Sequence, residues 1–499
     1  MRFARIARLI AAAAVVGSLQ LPQAEAASPV MLKLLKVLKD RGSITAQEYD
    51  ELLAAAAAES AAAPAVATTT TTTTTTSSAA TTATAPAATP AGGTAAKDAK
   101  AAGSGKSDSK GEPLTADSLA KTLKGKWYEK MGFRGYTQLR YHSILDQDGP
   151  ELNVPNDRSI SENNTFYLRR VRLILSGDIS EHLSLYLQPD LNGSPTSGDF
   201  SVQLRDAYGD VSFDKDKEYR VRLGQSKVPF GWSNMQSSSN RGPLERPDAI
   251  NSAAEGERDI GAFFYWAPAD VRKRFADLVK LGLKGSGDYG VVGVGIYSGQ
   301  GLNRLDLNGD PHVIGRVSYP FQFANGQYFE AGIQGYTGRF VTSTTSITSG
   351  GSTFTPSVRS DGLSDERVGV SATWYPQPFG IEAEWNVGRG PTLSDDLRRI
   401  TSESLHGGYV QVSYKDENKL GNWFPFARWQ YYRGGRKFAT NAPDSTVQEL
   451  DFGIEWAPWT SVEFTVQYTH TFERTNTRIA PYLETTGADR ISFQAQLNY

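Results

Sequence analysis

The sequence predicts an all-β protein: a sixteen-stranded antiparallel transmembrane β-barrel, preceded by a short periplasmic helical segment and a disordered linker. Two observations predict this fold. Polar and apolar residues alternate through most of residues 127–499, as in strands whose two faces meet different surroundings. The connections between these strands alternate between short turns and long polar loops, which is typical of outer-membrane barrels. We therefore expect the apolar faces to contact outer-membrane lipid and the polar faces to line water.

The composition is compatible with such a barrel. The chain has 499 residues, a net charge of −2 and no cysteine, and its mean hydropathy is negative. A polar mean does not exclude membrane insertion, because only about half of each barrel strand must be apolar. No stretch after the N-terminus reaches the ~20 apolar residues that a spanning helix needs. We expect no cofactor and no nucleic-acid partner.

The N-terminal segment, residues 1–27, predicts a signal peptide. Three arginines in the first eight residues precede a mostly apolar run at 9–21, and residues 24–26 (Ala-Glu-Ala) form a small-x-small cleavage site. The apolar run is too short for a membrane anchor. The chain is therefore expected to be exported to the bacterial outer membrane, with its mature N-terminal segment in the periplasm.

Two segments separate the signal peptide from the barrel. Residues 28–63 are predicted to be helical, since Leu34, Leu35 and Leu38 share one face at helical spacing. This segment is either a lone amphipathic helix pair or a periplasmic element for oligomerisation or tethering. Residues 64–112 form a low-complexity Thr/Ala-rich linker that cannot bury enough apolar surface to order itself. The linker is a plain spacer, or it lets the N-terminal helices reach about 40 Å from the membrane.

An even number of strands brings both ends of the barrel to the periplasmic side. Residues 267–288 are ambiguous, because they contain either part of another strand or a long turn. Eighteen strands are therefore the alternative to sixteen. The sixteen predicted strands lie near residues 132–144, 165–176, 183–187, 200–213, 219–223, 259–266, 289–298, 312–321, 328–340, 367–375, 381–388, 407–415, 423–434, 447–456, 461–472 and 490–499.

Sixteen strands leave room for a water-filled lumen, so the charges on the inner face bear on function. In the second strand, alternation places Tyr167 and Val171 outward and Arg170 and Arg172 inward. The connection at 228–258 is long enough to indicate a function, and folding into the lumen would present its arginines to passing solutes. The inward arginines predicted from strand alternation are Arg134, Arg140, Arg170, Arg172, Arg220 and Arg222, and the connection adds Arg241, Arg246 and Arg258.

These cations leave two functional interpretations. Rings of Arg or Lys favour anions, because guanidinium groups match the oxygens of phosphate. The first interpretation is passive diffusion of small anions, with phosphate or polyphosphate as candidate solutes. The second is a general diffusion porin with little charge selectivity, because acidic residues also face inward, on what looks like the opposite wall. These acids are Glu382, Glu384, Glu449, Asp451, Glu455 and Glu463.

Four motifs resemble the phosphate-selective porin O/P family. They are FYLRRVR at 166–172, LRDAY at 204–208, RLGQSKVPFG at 222–231 and ERDIG at 257–261. The Gly-Gln-x-Lys-x-Pro-Phe-Gly pattern is the most specific, and the resemblance covers about residues 127–499. It implies a sixteen-stranded outer-membrane porin, generally a homotrimer, with an inward-folded third loop and arginine-lined pores associated with phosphate or polyphosphate uptake.

The resemblance adds Arg169 and Lys227 to the predicted anion-binding set. Arg169 and Arg170 are similar by position to the family's paired strand arginines near the constriction, and Lys227 lies in the most specific motif. Alternation allows only one arginine of the pair to point straight inward, and we expect this to be Arg170.

Two further functions belong to other classes of protein. A barrel enzyme, such as a lipase using Ser and His, is not expected, because none of the five histidines accompanies a recognisable nucleophile motif. A structural role is the other alternative, with the N-terminal segment tethering the barrel to the cell wall. The expected partners are thus small anionic solutes, outer-membrane lipid, two further copies of the chain and the cell wall.

Overall fold

The computed structural model describes residues 127–149, 165–193, 200–254, 256, 258–476 and 483–499. The predicted signal peptide (1–27), helical segment (28–63) and linker (64–112) lie outside the described residues. No helix in the described ranges is long and apolar enough to cross a membrane.

Sixteen long strands form one antiparallel sheet, which confirms the predicted number. The sheet has a seventeenth member, residues 416–418, which only prolongs the twelfth strand beside its partner. The strands are β1 (Met131–Asp148), β2 (Phe166–Asp178), β3 (Leu183–Gly193), β4 (Phe200–Ser212), β5 (Tyr219–Lys227), β6 (Arg258–Trp266), β7 (Val292–Tyr297), β8 (His312–Gln322), β9 (Tyr328–Phe340), β10 (Leu363–Trp374), β11 (Phe379–Leu393), β12 (Ile400–Tyr414), β13 (Gly421–Gly435), β14 (Asp444–Trp459), β15 (Val462–Asn476) and β16 (Leu483–Asn498).

The last strand pairs with the first and closes the sheet into a barrel. In the register of β1 with β16, Tyr136 lies opposite Asn498. Beyond this pair, the Tyr499 amide donates to the Gly135 carbonyl over 3.0 Å, and the Gly135 amide donates to the Tyr499 carbonyl over 2.6 Å. Since every strand has two neighbours, no long strand leaves its backbone groups at an open edge.

The period-two pattern separates the two faces of the barrel, as β10 shows. Asp365 and Arg367 point inward with exposed fractions of 0% and 2%, whereas Val368 and Val370 point outward and are each 53% exposed. The outer face is therefore the apolar, lipid-facing one, and the charged residues lie inside. This inversion relative to a soluble core is what a transmembrane barrel requires.

The connection between β6 and β7 contains a helix, which resolves the ambiguity at residues 267–288. Its apolar residues Val271, Phe275 and Leu278 are buried at helical spacing, so this segment packs as an amphipathic helix and adds no strand. The eighteen-stranded alternative is wrong for the described residues. The described α-helices are α1 (Trp232–Met235), α2 (Asp248–Asn251) and α3 (Ala269–Lys280), and a 3-10 helix spans Trp127–Lys130.

The connections differ at the two ends of the barrel. The short-turn end is formed by the connections at 179–182, 213–218, 267–291, 323–327, 375–378, 415–420 and 460–461. The described connections at the long-loop end are those at 228–254, 298–311, 341–362, 394–399 and 436–443. In outer-membrane barrels the short turns face the periplasm and the long loops face the outside.

Candidate pore-lining site

One connection from the long-loop end folds into the barrel and contacts several walls. We call residues 228–254, between β5 and β6, the lumen loop. The Leu244 amide donates to Gln467 of β15 over 2.9 Å, and the Asp248 amide donates to Gln430 of β13 over 2.7 Å. Strands far apart in the sequence thus fix the loop inside the lumen, where its length led us to expect it.

The first turn of the lumen loop is anchored on acids of β9 and β11. The backbone amides of Trp232 and Ser233 donate to the Glu384 carboxylate over 2.9 and 3.2 Å. The indole of Trp232 donates to Glu330 over 3.1 Å. Glycine is required at position 231, because its φ is +84° and a Cβ there would lie 2.7 Å from Ile250 Cγ2. Part of the predicted acidic wall therefore holds the loop.

Lys227 fastens the beginning of the same loop. Its Nζ donates to the carbonyl oxygens of Asn234, Met235 and Gln236 over 3.0, 3.0 and 2.7 Å. These carbonyls lie at the C-terminal end of α1, where helical carbonyls lack partners within the helix. The ammonium group thus satisfies three loop carbonyls. Lys227, predicted to line the pore, therefore anchors the lumen loop in the structure.

Arg246 also serves the loop itself. Its Nε donates to the Ser233 carbonyl over 2.9 Å, and its Nη2 donates to the Gln236 carbonyl over 2.8 Å. From the barrel wall, Arg367 of β10 donates to the carbonyls of Ala249 and Ser252 over 3.3 and 3.0 Å. The loop carbonyls therefore accept hydrogen bonds from arginine side chains, because the loop lacks the backbone donors that a regular strand or helix would supply.

The centre of the site is the carboxylate of Glu245, which the lumen loop holds against β1 and β2. Arg140 Nη1 lies 2.7 Å from Glu245 Oε1, Arg169 Nε lies 3.1 Å from the same oxygen, and Arg170 Nη2 lies 3.3 Å from Oε2. Arg241, in the loop, acts on Glu245 through its charge. We call these five residues the Glu245 cluster. Four guanidinium groups and one carboxylate give it a net charge of +3.

The ionisation of Glu245 follows from these neighbours. Burial alone raises the pKa of its carboxyl, but the positive charges of Arg169, Arg170, Arg140 and Arg241 outweigh burial and hold the pKa well below its ordinary value. The carboxylate therefore stays ionised, and its charge-assisted hydrogen bonds to the three strand arginines persist at neutral pH.

A β-bulge explains why both Arg169 and Arg170 reach the cluster. In the register of β1 with β2, Gln138 lies opposite Arg170 and Leu139 lies opposite Leu168, so Arg169 has no partner. An extra residue in one strand shifts the alternation beyond it. The expectation that only one of the pair points inward is wrong. Tyr167, expected outward, is likewise turned inward and is 8% exposed.

A second bulge places two more charges in the lumen. In the register of β3 with β4, Gln188 lies opposite Asp206 and Pro189 lies opposite Leu204, so Arg205 has no partner. Arg205 and Asp206 both point inward and are 7% and 4% exposed. Sequence alternation did not predict Arg205. Two consecutive charged residues in a transmembrane strand were the available signal, because a charge on the lipid face costs about 2–4 kcal/mol.

The bulged residues join ion pairs along the same wall. Asp190 Oδ2 of β3 lies 2.9 Å from Arg172 Nε and 3.1 Å from Arg205 Nε. Arg258, predicted in the connection, is the first residue of β6, and its Nη2 lies 2.8 Å from Asp206 Oδ2. These buried pairs neutralise part of the positive wall.

Three predicted residues lie nearer the short-turn end. Arg220 Nη2 contacts Asp288 Oδ1 at 2.5 Å, and Arg222 forms two hydrogen bonds with Asp210, at 2.8 and 2.9 Å. Arg134 is exposed, and it donates to Ser176 Oγ over 3.1 Å. These three residues therefore lie outside the Glu245 cluster.

The segment after α3 enters the lumen from the short-turn end and meets the lumen loop. Lys284 Nζ lies 2.5 Å from Glu455 Oε1 on β14. Its backbone carbonyl accepts a hydrogen bond from Gln236 Nε2 over 2.6 Å, and the Gly285 carbonyl accepts one from Asn240 Nδ2 over 3.0 Å. Two inserted segments therefore narrow the lumen, whereas the sequence predicts only one.

A closed barrel of sixteen strands with an apolar outer face, a charged lumen and an inward-folded loop defines an outer-membrane channel of the porin class. The model of the family described as phosphate-selective porin O and P matches residues 144–499, and the chain belongs to this family. No relative among curated proteins matches the chain.

Solved structures similar to the chain include three outer-membrane proteins. The outer-membrane expressed OmpT of Vibrio cholerae has 10% identity and a TM-score of 0.45, covering 74% of this chain and 97% of that one. The outer membrane channel DcaP of Acinetobacter baumannii has 14% identity and a TM-score of 0.44, with coverages of 74% and 97%. An anion-selective porin from Comamonas acidovorans has 9% identity and a TM-score of 0.44, with coverages of 74% and 99%.

Proposed function

We propose that this channel passes small anions by passive diffusion, with phosphate or polyphosphate as preferred solutes. The observation that carries the proposal is the Glu245 cluster, in which four guanidinium groups surround one carboxylate. A fixed net charge of +3 inside a narrow lumen attracts anions and repels cations over distances comparable to the Debye length, about 8 Å at physiological ionic strength.

The bound carboxylate indicates which chemistry the cluster accepts. Glu245 presents two oxygens to three strand arginines at distances between 2.7 and 3.3 Å. Phosphate presents oxygens of the same kind and suits the forked guanidinium donors. We infer that a passing oxyanion exchanges with the Glu245 carboxylate for these donors. Such exchange gives binding that is favourable enough for entry and weak enough for release.

A specific observation favours the alternative, a general diffusion porin with little charge selectivity. Outside the Glu245 cluster, four inward aspartates pair with arginines on the same wall. Asp451 of β14 likewise pairs with Arg428 over 2.7 Å. Such pairs cancel much of the long-range field of the arginines. Selectivity then depends on the small excess of positive over negative side chains in the lumen.

Reversal potentials in planar bilayers separate the two functions. We expect the wild-type channel in asymmetric KCl to prefer chloride over potassium, and we expect added phosphate to reduce the chloride current. Arg140→Gln should lower the chloride preference, whereas Arg389→Gln, at an exposed position of β11, should leave it unchanged. A cation-selective reversal potential would overturn the proposal. Chloride selectivity without phosphate block would reduce it to a channel for small anions in general.

The proposal also covers assembly and orientation. The family resemblance implies a homotrimer, and the topology of outer-membrane barrels implies a periplasmic N-terminal segment. Light scattering of the detergent-solubilised protein should give the mass of three chains. A protease added to intact cells should spare an epitope placed between residues 28 and 63 and cut it only after the outer membrane is opened.

A further inference from the structure

A second cluster of cations and aromatic rings lies near the short-turn end, away from the Glu245 cluster. It borders a cavity of about 630 Å³ lined by residues that include Lys130, Tyr186 and Tyr208. We call this cavity, with Arg134 and Arg222 beside it, the vestibule. By contrast, the cavity beside Glu245 measures about 20 Å³. The smaller space accommodates about one water molecule, whereas the larger one falls in the range of small-molecule sites.

The inner wall of the vestibule carries a row of planar groups. Tyr186 of β3 and Tyr208 of β4 lie directly opposite each other in the strand register. Their rings are stacked, with centroids 5.1 Å apart and planes inclined by 7°. Arg222 Cζ lies 3.9 Å from the Tyr208 centroid, and Arg134 Cζ lies 5.8 Å from the Tyr186 centroid. The row therefore reads cation, ring, ring, cation across the wall.

Two cations of the vestibule have no carboxylate partner among the described residues. Arg134 donates to Ser176 Oγ over 3.1 Å, and Lys130 Nζ donates to the Ile179 carbonyl over 3.1 Å. Both side chains are exposed. The neighbouring acids are already engaged, because Asp178 pairs with Lys217 at 2.6 Å and Asp210 pairs with Arg222. Arg134 and Lys130 are thus able to bind an anionic group.

We propose that the vestibule is a binding subsite for organic anions that carry a flat ring. Their anionic group would bind Arg134 and Lys130. Their ring would meet the edges of Tyr186 and Tyr208 in a T-shaped contact, because the faces of both tyrosine rings are covered by each other and by the two arginines. Aromatic rings in contact gain about 0.5–1.5 kcal/mol beyond the area they bury, which corresponds to a factor of roughly 2 to 13 in affinity. An inorganic anion needs neither the volume of the vestibule nor its rings. This inference rests on the proposed function, because an anion reaches the vestibule only if the channel admits anions.

The test compares three carboxylates as blockers of chloride current through the full-length channel in planar bilayers. Benzoate has a flat aromatic ring, cyclohexanecarboxylate has a ring of similar size without π electrons, and acetate has no ring. Each is added to the short-turn side, identified from the orientation of inserted channels. We expect benzoate to halve the current at a concentration about three- to tenfold lower than cyclohexanecarboxylate does.

Variants connect this preference to the vestibule. The double substitution Tyr186→Leu, Tyr208→Leu should remove the difference between benzoate and cyclohexanecarboxylate. Tyr141→Leu is the matched control, because its ring packs on the outer face against Phe166, with centroids 4.7 Å apart, and should retain the difference. Arg134→Gln should raise the blocking concentrations of benzoate and cyclohexanecarboxylate together and keep their ratio.

Two results would overturn the subsite: equal potency of benzoate and cyclohexanecarboxylate on the wild type, or an undiminished preference in the double variant. If the double variant fails to insert, Tyr208→Leu alone decides the question, and a retained preference counts against the proposal. The proposed function fails separately, through a cation-selective reversal potential in KCl without any carboxylate. Each failure is therefore recognisable on its own.

Discussion

Arg169 and Arg170 are consecutive in β2, yet both side chains enter the lumen and bond the same carboxylate, that of Glu245. In a regular strand one of them would face lipid. The bulge at Arg169 removes this conflict. Because the unpaired residue is an extra one in β2, the inward and outward positions are exchanged beyond it. The charge of the Glu245 cluster therefore depends on two arginines that a regular strand would separate.

The first prediction concerns this pair. Arg169→Gln and Arg170→Gln should each lower the ratio of chloride to potassium permeability, by about fivefold for a change of ~1 kcal/mol at the site. The measurement is the reversal potential in asymmetric KCl. Arg389→Gln serves as the control. If only one of the two substitutions changes the permeability ratio, the finding that both side chains point into the lumen is contradicted.

The second prediction concerns the single acid of the cluster. Glu245→Gln removes the carboxylate that competes with a solute anion, so the net charge of the cluster rises from +3 to +4. We expect phosphate to halve the chloride current at a concentration about fivefold lower than in the wild type. Glu484→Gln, in β16 near the long-loop end, is the matched control. A higher blocking concentration in Glu245→Gln would show that the carboxylate does not compete with phosphate.

The third prediction is a pH dependence. The neighbouring guanidinium groups hold the pKa of Glu245 well below its ordinary value, despite burial, which alone would raise it. A group with a lowered folded-state pKa contributes its full stabilisation above its unfolded pKa of about 4.3 and loses it as the pH falls through the folded value. Between pH 8 and pH 5 the carboxylate therefore stays charged. The difference in KCl reversal potential between the wild type and Glu245→Gln should stay constant across that range, and convergence of the two at pH 5 would contradict this.

The fourth prediction concerns the anchoring of the lumen loop. Lys227→Met leaves three buried carbonyls without their shared donor, which should cost about 2–5 kcal/mol in loop stability. We expect noisier single-channel current and faster trypsin cleavage within the lumen loop. Lys419→Met, in an exposed turn, removes the same charge elsewhere and should change neither. A quiet channel with unchanged conductance in Lys227→Met would argue against this anchoring role.

The fifth prediction separates the barrel from the segments before it. Deleting residues 28–112 should leave single-channel conductance and selectivity unchanged, because the lumen residues that determine them lie in the barrel. Loss of envelope integrity in the deletion strain, measured by detergent sensitivity, would support a tether to the cell wall. Loss of conductance in correctly inserted channels would instead assign these segments to the pore.

The number and order of the strands were readable from the sequence because alternation is local. Each residue of a strand meets either lipid or water, so a period of two is imposed on neighbouring residues without reference to the rest of the fold. The helix α3 escaped this reading. Its buried residues Val271, Phe275 and Leu278 recur at helical spacing, which a search for a period of two does not detect.

The candidate site was less predictable, because its contacts join distant parts of the chain. The sequence indicates Arg140, Arg170 and Arg241 as pore-lining cations, but no pattern in it indicates Glu245, which lies in the lumen loop. It also placed Lys227 among the pore-lining residues, whereas its hydrogen bonds hold the loop. Residue type and parity indicate which charges enter the lumen, but they do not indicate which partner each charge meets.

The sequence by itself determined that this chain forms a sixteen-stranded barrel with an arginine-rich inner face, since alternation and residue type suffice for both. The tertiary structure alone decided where alternation breaks, which course the lumen loop takes and which arginines are neutralised by acids. A bulge is defined by the pairing of two strands, and the position of the loop is fixed by strands far along the chain. The contact between Leu244 and Gln467, for example, joins residues 223 positions apart. Such non-local pairings leave no period in the sequence, and they set the charge that a solute meets.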